Sequence, residues 1–140
     1  MGIRRKAREY ALQALYYIDI RKDDSPEALA LYCSSFDLSK PTVPFFSRLV
    51  EGIVKNRNRL DEAIEKYSNN WKVSRMSCVD RNIMRIAVYE LLYCRDIPAK
   101  VSINEAVDIG KKFGTEESGA FINGVVDRIR IALEEGDAQI

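Results

Sequence analysis

The chain has 140 residues, 46% of them hydrophobic and 31% charged, with a net charge of +1. That length suits one domain around a single sizeable core, and no apolar run approaches the ~20 residues that a bilayer-spanning helix needs. Histidine is absent, which excludes Ser-His-Asp and Cys-His catalysis and the commonest metal ligand; an enzyme would have to work with carboxylates, lysine or tyrosine alone.

Nearly every periodic stretch has helical spacing and none alternates convincingly, so the sequence predicts an all-α fold of six or seven helices. The N-terminal "MGIRRKAREY" has no continuous apolar stretch behind its basic residues and is read as no secretory signal. Its Met-Gly start lacks the sixth-position Ser/Thr of myristoylation, since Lys6 stands there. The first helix runs from about Ile3 to Ile20, with Ile3, Ala7, Tyr10, Ala11, Ala14 and Ile18 on one face. The second starts at "DDSPEAL": Ser25 caps, Pro26 takes the first helical position and Glu27 faces the positive dipole end. "DLSKPT" breaks it. A helical region from about Val43 to Tyr67 carries Leu49, Ile53, Leu60 and Ile64 as its stripe, with a candidate interruption at Asn56–Asn58. "SNNWKVS" is a connector holding the only tryptophan, Trp71.

The next helix, about Ser77 to Cys94, opens on a Ser77–Asp80 capping pattern and is apolar almost all round, as the middle helix of a bundle should be. Glu90 falls inside its apolar arc, where a carboxylate is either exposed at a gap or paired with donors; structural pairing is the favoured reading over a catalytic acid. Pro98 ends the segment. "SINE", Ser102–Glu105, reads as a capping box for a helix continued by Ile103, Ala106, Val107, Gly110 and Phe113. Gly114 reads as a helix stop. The last helix begins near Glu116 or Ser118 and ends near Leu133, with "EEGDAQI" fraying. The chain is thus one domain, 1–140, in which the connector at Trp71 divides subdomains of about 1–70 and 71–140. Cys33, Cys78 and Cys94 form no CxxC pair and read as reduced, buried thiols.

Residues 1–22 carry six cations against two acids, a net +4, which leaves −3 for the remainder of a chain whose total is +1. This basic end is either an anion-binding patch or a solvated helix start. Arg5, Arg8, Leu12 and Tyr16 share one angular sector of the first helix. Arginines beside an aromatic residue are the chemistry of single-stranded RNA binding, although Tyr16 can equally be core. Around Phe121, "GTEESGAFINGVVDRI" contains three glycines, and a glycine in a helix interior costs roughly 1 kcal/mol relative to alanine. Either the glycines pack helices and Phe121 is core, or they hold a helix start and the Phe121 ring at the surface, where amides attract phosphate and the ring stacks a base.

"RRKAREYALQALY", "DRNIMRIAVYELL", "IPAKVSINEAVDIGKKFG" and "SGAFINGVVDRI" occur in this order over nearly the whole chain. Together they resemble the NusB family of bacterial transcription antitermination factors. The resemblance implies two packed helical subdomains and a cytoplasmic, non-catalytic protein without a cofactor or metal. It implies binding of boxA-type RNA in ribosomal RNA transcripts as a heterodimer with NusE, a small-subunit ribosomal protein. That complex joins RNA polymerase with other Nus factors and suppresses premature termination. Carried over residue by residue, the RNA-binding positions are Arg4, Arg5, Arg8, Glu117, Ser118 and Phe121, and the NusE-facing positions are Tyr16 and Asp80. Gly110 replaces the alanine usual in the family and should loosen its helix. Two alternatives stand beside this: a NusB-like domain serving a ribosomal RNA methyltransferase, for which the chain has no strand-rich, Gly-rich cofactor half, and a structural homodimer with its basic helix masked.

Overall fold

Two helices, beginning at Pro26 and Cys78, start where the sequence places a short polar cap. In the computed structural model, which describes residues 2–136, Ser25 Oγ accepts from the Ala28 N–H at 3.2 Å and Ser77 Oγ from the Asp80 N–H at 3.0 Å. Each satisfies an amide that the first helical turn leaves without a partner. The order is α1 (Ile3–Arg21), α2 (Pro26–Ser34), α3 (Val43–Lys55), α4 (Arg57–Tyr67), a 3₁₀ turn (Val73–Arg75), α5 (Cys78–Tyr93), α6 (Ala99–Phe113) and α7 (Ser118–Glu134), with no strand among the described residues. The interruption near Asn56 is real: the Asn56 side chain donates to Gly52 O at 2.7 Å, competing with the helical ladder between α3 and α4. The expected fraying of "EEGDAQI" holds only in part of that stretch. Glu134 is the last residue of α7, held by Arg130, and residues 137–140 lie outside the described residues.

The capping box at Ser102–Glu105 is corrected. α6 begins at Ala99 with Pro98 at its N-cap, so Ser102 lies a turn inside the helix. Its hydroxyl donates to the Glu90 carboxylate at 2.7 Å, and Glu105 accepts from Arg5 and Arg8. An S-x-x-E spacing also puts both side chains on one face of a helix interior, and here that face meets α1 and α5.

α5 is the axis of the molecule. Asn82 through Leu91 are all buried, and the helix packs on α1, α3, α4, α6 and α7. α1 runs antiparallel to α5, since Arg8 meets Glu90 and Asp19 meets Arg85, and in the same direction as α6, since Arg5 meets Glu105 and Glu9 meets Lys112. A single apolar core extends through both halves, from Ala7 and Phe46 to Ile122 and Ile129. Gly52 on α3 lies directly under the Tyr89 ring, where a Cβ would overlap it. Gly110 has a packing role rather than the loosening expected of it: an added Cβ would sit 2.7 Å from Ile122 Cδ1 of α7. Cys94 is buried, with burial pushing its thiol up to about 11, whereas Cys33 and Cys78 are only half-buried; all three are free thiols.

Candidate nucleic-acid interface

The arginines at the start of α1 differ in what they can offer a ligand. Arg8 is 3% exposed. Its Nε and Nη2 donate to the two Glu90 oxygens at 2.7 and 2.8 Å, and its Nη1 donates to Glu105 at 3.0 Å. The Phe45 ring lies 5.3 Å from its guanidinium carbon. Burial works against the Arg8 charge, but the bonds and charges of Glu90 and Glu105 outweigh it and raise its pKa. Arg8 is therefore corrected from a phosphate contact to the core of a buried ion cluster, and Glu90 is its structural partner, as favoured from sequence. Arg5 is mostly covered, forking onto Glu105 at 2.6 and 2.5 Å and reaching Asp108 at 3.0 Å. The Arg5 hydrogen bonds hold the Glu105 carboxyl below its ordinary value. Arg4 is the open one: half-exposed, 3.3 Å from Asp96 and stacked over Phe45 at 5.0 Å.

The start of α7 lies beside the C-terminal end of α6. Thr115 N–H donates to Ser118 Oγ at 2.9 Å, closing the loop, and Ser118 is 1% exposed. Ser118 is thus corrected from a surface contact to a residue that shapes the loop. Gly114 is required by this closure, because a Cβ there would overlap the Ser118 hydroxyl. Gly119 has Lys111 across it, 3.2 Å from where a Cβ would be. Gly124 meets nothing within 4 Å, so close helix packing does not explain it. Glu117 is exposed. Phe121 is half-buried against the core, with its ring 5.1 Å from that of Trp71 at an interplanar angle of 61°.

The two expected partner positions lie on elements that the structure ties together. Asp19 of α1 accepts from Arg81 (2.8 Å), Asn82 (2.9 Å) and Arg85 (3.0 Å) of α5, and Arg85 forks onward to Asp61 of α4 at 2.7 and 2.9 Å. Burial would raise the Asp19 pKa, but Arg85 and Arg81 lower it overall. Beside this clamp, Tyr16 is 41% exposed on α1, next to exposed Tyr17 and Ile20. Asp80 is half-buried in the first turn of α5, and its Oδ1 is buried without a hydrogen-bond partner.

The sequence profile of the NusB family matches residues 5–130. The transcription antitermination protein NusB of Desulfatibacillum aliphaticivorans is 55% identical over 133 residues, 95% of this chain and 93% of that protein. The chain belongs to the NusB family. A solved structure of T. maritima NusB superposes on this NusB-family chain with a TM-score of 0.79 at 38% identity, covering 91% of this chain and 90% of that one. A solved complex of the antitermination factors NusB and NusE with dsRNA contains a chain that superposes with a TM-score of 0.83 at 28% identity, covering 94% and 98%.

Two features of this NusB-family fold were missed in the sequence. Arg85 lies inside the apolar arc of α5, the same signal that marked Glu90, and applying it there would have flagged the Asp19–Arg85–Asp61 clamp. Trp71 reads as a connector residue in the sequence, and no spacing rule brings it to Phe121, 50 positions away. Among the described residues no group of three Cys, Asp or Glu side chains could hold a metal, and no helix is long and apolar enough to cross a membrane.

Proposed function

We propose that this protein is a cytoplasmic, non-catalytic transcription antitermination factor. It binds boxA-type single-stranded RNA of ribosomal RNA transcripts together with NusE, and so helps RNA polymerase and its other Nus factors pass early termination sites. The observation that carries the reading is the surface running from the start of α1, with Arg4 open and Arg5 partly covered, past the α6 C-terminus to the start of α7, with Glu117 and Phe121. Cations at one end suit phosphates, and rings at the other suit unstacked bases. Arg8 and Ser118 serve this surface from beneath, one by fixing α1 and the other by fixing the loop. Tyr16 and Asp80 form the NusE-facing side, Tyr16 with its exposed ring on α1 and Asp80 with a half-buried carboxylate in the first turn of α5. The halves 1–70 and 71–140 act as subdomains joined through α5.

The test is a fluorescence-anisotropy titration of labelled boxA RNA and a scrambled control, with and without NusE, over a series of salt concentrations. Tighter boxA binding in the presence of NusE is expected. Arg4→Ala should weaken both RNAs alike and flatten the log affinity–log salt slope by about 0.7. Equal affinity for the two RNAs with no effect of NusE would refute the reading. So would a stable homodimer, on gel filtration, that does not dissociate when RNA is added.

A further inference from the structure

The loop that carries Trp71 is built rigidly for a segment that leaves an indole in water. Asn69 and Asn70 both adopt left-handed backbone, with φ of 58° and 62°, a conformation that asparagine tolerates better than most residues with a side chain. Asn70 N–H donates to Glu65 O at 2.9 Å, Trp71 N–H to Ser68 O at 3.2 Å, and Val73 N–H to the Glu65 carboxylate at 2.8 Å. This bonding fixes the direction of the indole, edge-to-face with Phe121, yet Trp71 remains 46% exposed. Of the two rings, Phe121 leans on the core and Trp71 presents the open face.

Around the pair the surface is open and carries two cations, Arg128 and Lys72, beside the acids Glu65 and Glu117. Phe121, Gly124 and Arg128 share one face of α7 by their spacing. Gly124 has no neighbour for a Cβ to meet, so its place in the helix leaves free space beside the rings. Arg128 is exposed and donates to Tyr67 O at 3.2 Å, at the end of α4, just before the loop. Lys72 follows the indole directly and is 3.8 Å from Glu65, with most of its side chain in solvent. An exposed ring, with one cation following it in the loop and another bonded to the residue that ends α4, can take a base on the ring and the adjoining phosphates on the cations.

We infer that Trp71 is a base-stacking residue of the RNA site: an unstacked base of the single strand packs on its indole, and Phe121 supports the indole from the core side. This rests on the proposal that the protein binds single-stranded RNA. Because Trp71 is the only tryptophan, its emission reports the site directly. The full chain is titrated with unlabelled boxA RNA while emission is followed, and in parallel the same RNA bearing a terminal dye is followed by anisotropy. Indole quenching should have the midpoint of the anisotropy curve, and one abasic position in the RNA should remove most of it. Trp71→Ala should weaken binding roughly 5- to 150-fold with the salt slope unchanged; Trp71→Phe, which keeps a ring, should retain most of the affinity and checks that the loop still folds. Normal anisotropy binding with unquenched emission and unchanged affinity of Trp71→Ala would overturn the inference and leave the RNA-binding proposal intact. Absence of any RNA binding at low salt, with and without NusE, would overturn both.

Discussion

Removing the guanidinium of Arg8 separates two roles that one arginine could have. Arg8→Met deletes both donors to Glu90 and the donor to Glu105, and leaves Glu90, 1% exposed, with the Ser102 hydroxyl as its remaining bond. Breaking a buried ion pair on one side costs about 3–5 kcal/mol, because the surviving charge stays desolvated. For a chain of this size 1 kcal/mol corresponds to roughly 3–4 °C in melting temperature, so the variant should melt about 10–20 °C lower. Glu90→Leu alone should lose a similar amount by stranding Arg8, although Glu105 retains part of its charge pairing. The double variant Arg8→Met/Glu90→Leu removes both charges and should recover most of the loss, short of roughly 1–3 kcal/mol for a Ser102 hydroxyl left without its acceptor. Urea unfolding of the four proteins gives the coupling energy directly. The double variant, once shown to be folded, should bind RNA with the parental salt slope, because Arg8 reaches no phosphate. A loss of under 1 kcal/mol in Arg8→Met, or a slope flattened by about 0.7 in the folded double variant, would refute the placement of Arg8 in the core.

Gly124→Ala should stabilise the protein by about 0.5–1 kcal/mol, since it adds helix propensity in open space, whereas Gly52→Ala should destabilise it by about 1–3 kcal/mol by driving into the Tyr89 ring; thermal melts of the two separate propensity from packing. Asp19 and Glu105 both titrate below their ordinary values, 3.8 and 4.5, so their stabilisation is fully present above those values and is lost as the pH falls through the lower folded-state ones. Urea midpoints measured from pH 6 down to pH 2 should therefore fall in the acid limb, and less steeply for Asp19→Asn, which starts from a lower stability. Tyr16→Asp and Asp80→Lys should each weaken NusE binding by over 1 kcal/mol at parental helicity; unchanged affinity in calorimetry for both variants would remove them from that interface.

What was legible in the sequence was mostly local. Ser25–Pro26 and Ser77 announce their helices because a cap acts within three residues, and the apolar arc of α5 marks the bundle axis because burial on all sides leaves no polar face. Glu90 could be read as paired because a carboxylate in such an arc has no cheaper state. Ser102–Glu105 misled because the same spacing serves a cap and a buried face, and only Pro98 at the true start of α6 distinguishes them. Arg8 misled for a related reason: a cation near the chain start looks like its neighbours Arg4 and Arg5, and what buries it is a glutamate 82 positions away. The Trp71–Phe121 pair depends on two left-handed asparagines steering a loop, which composition does not encode.

The bonds that hold α1 in place span long stretches of chain: 82 residues from Arg8 to Glu90, 100 from Arg5 to Glu105 and 103 from Glu9 to Lys112. Chains emerge from the ribosome at about 5–20 residues per second, so roughly 5–20 s separate the synthesis of α1 from that of the acids that fix its arginines. Over that interval the most basic segment of the protein has no acid of α5 or α6 to hold it, and a nascent chain stopped before α6 has Glu90 for Arg8 but leaves Arg5 able to pair with any polyanion nearby. Completion of α6 closes these loops late, when the closure entropy is already largest. The last third of the chain thus decides when the first helix becomes selective.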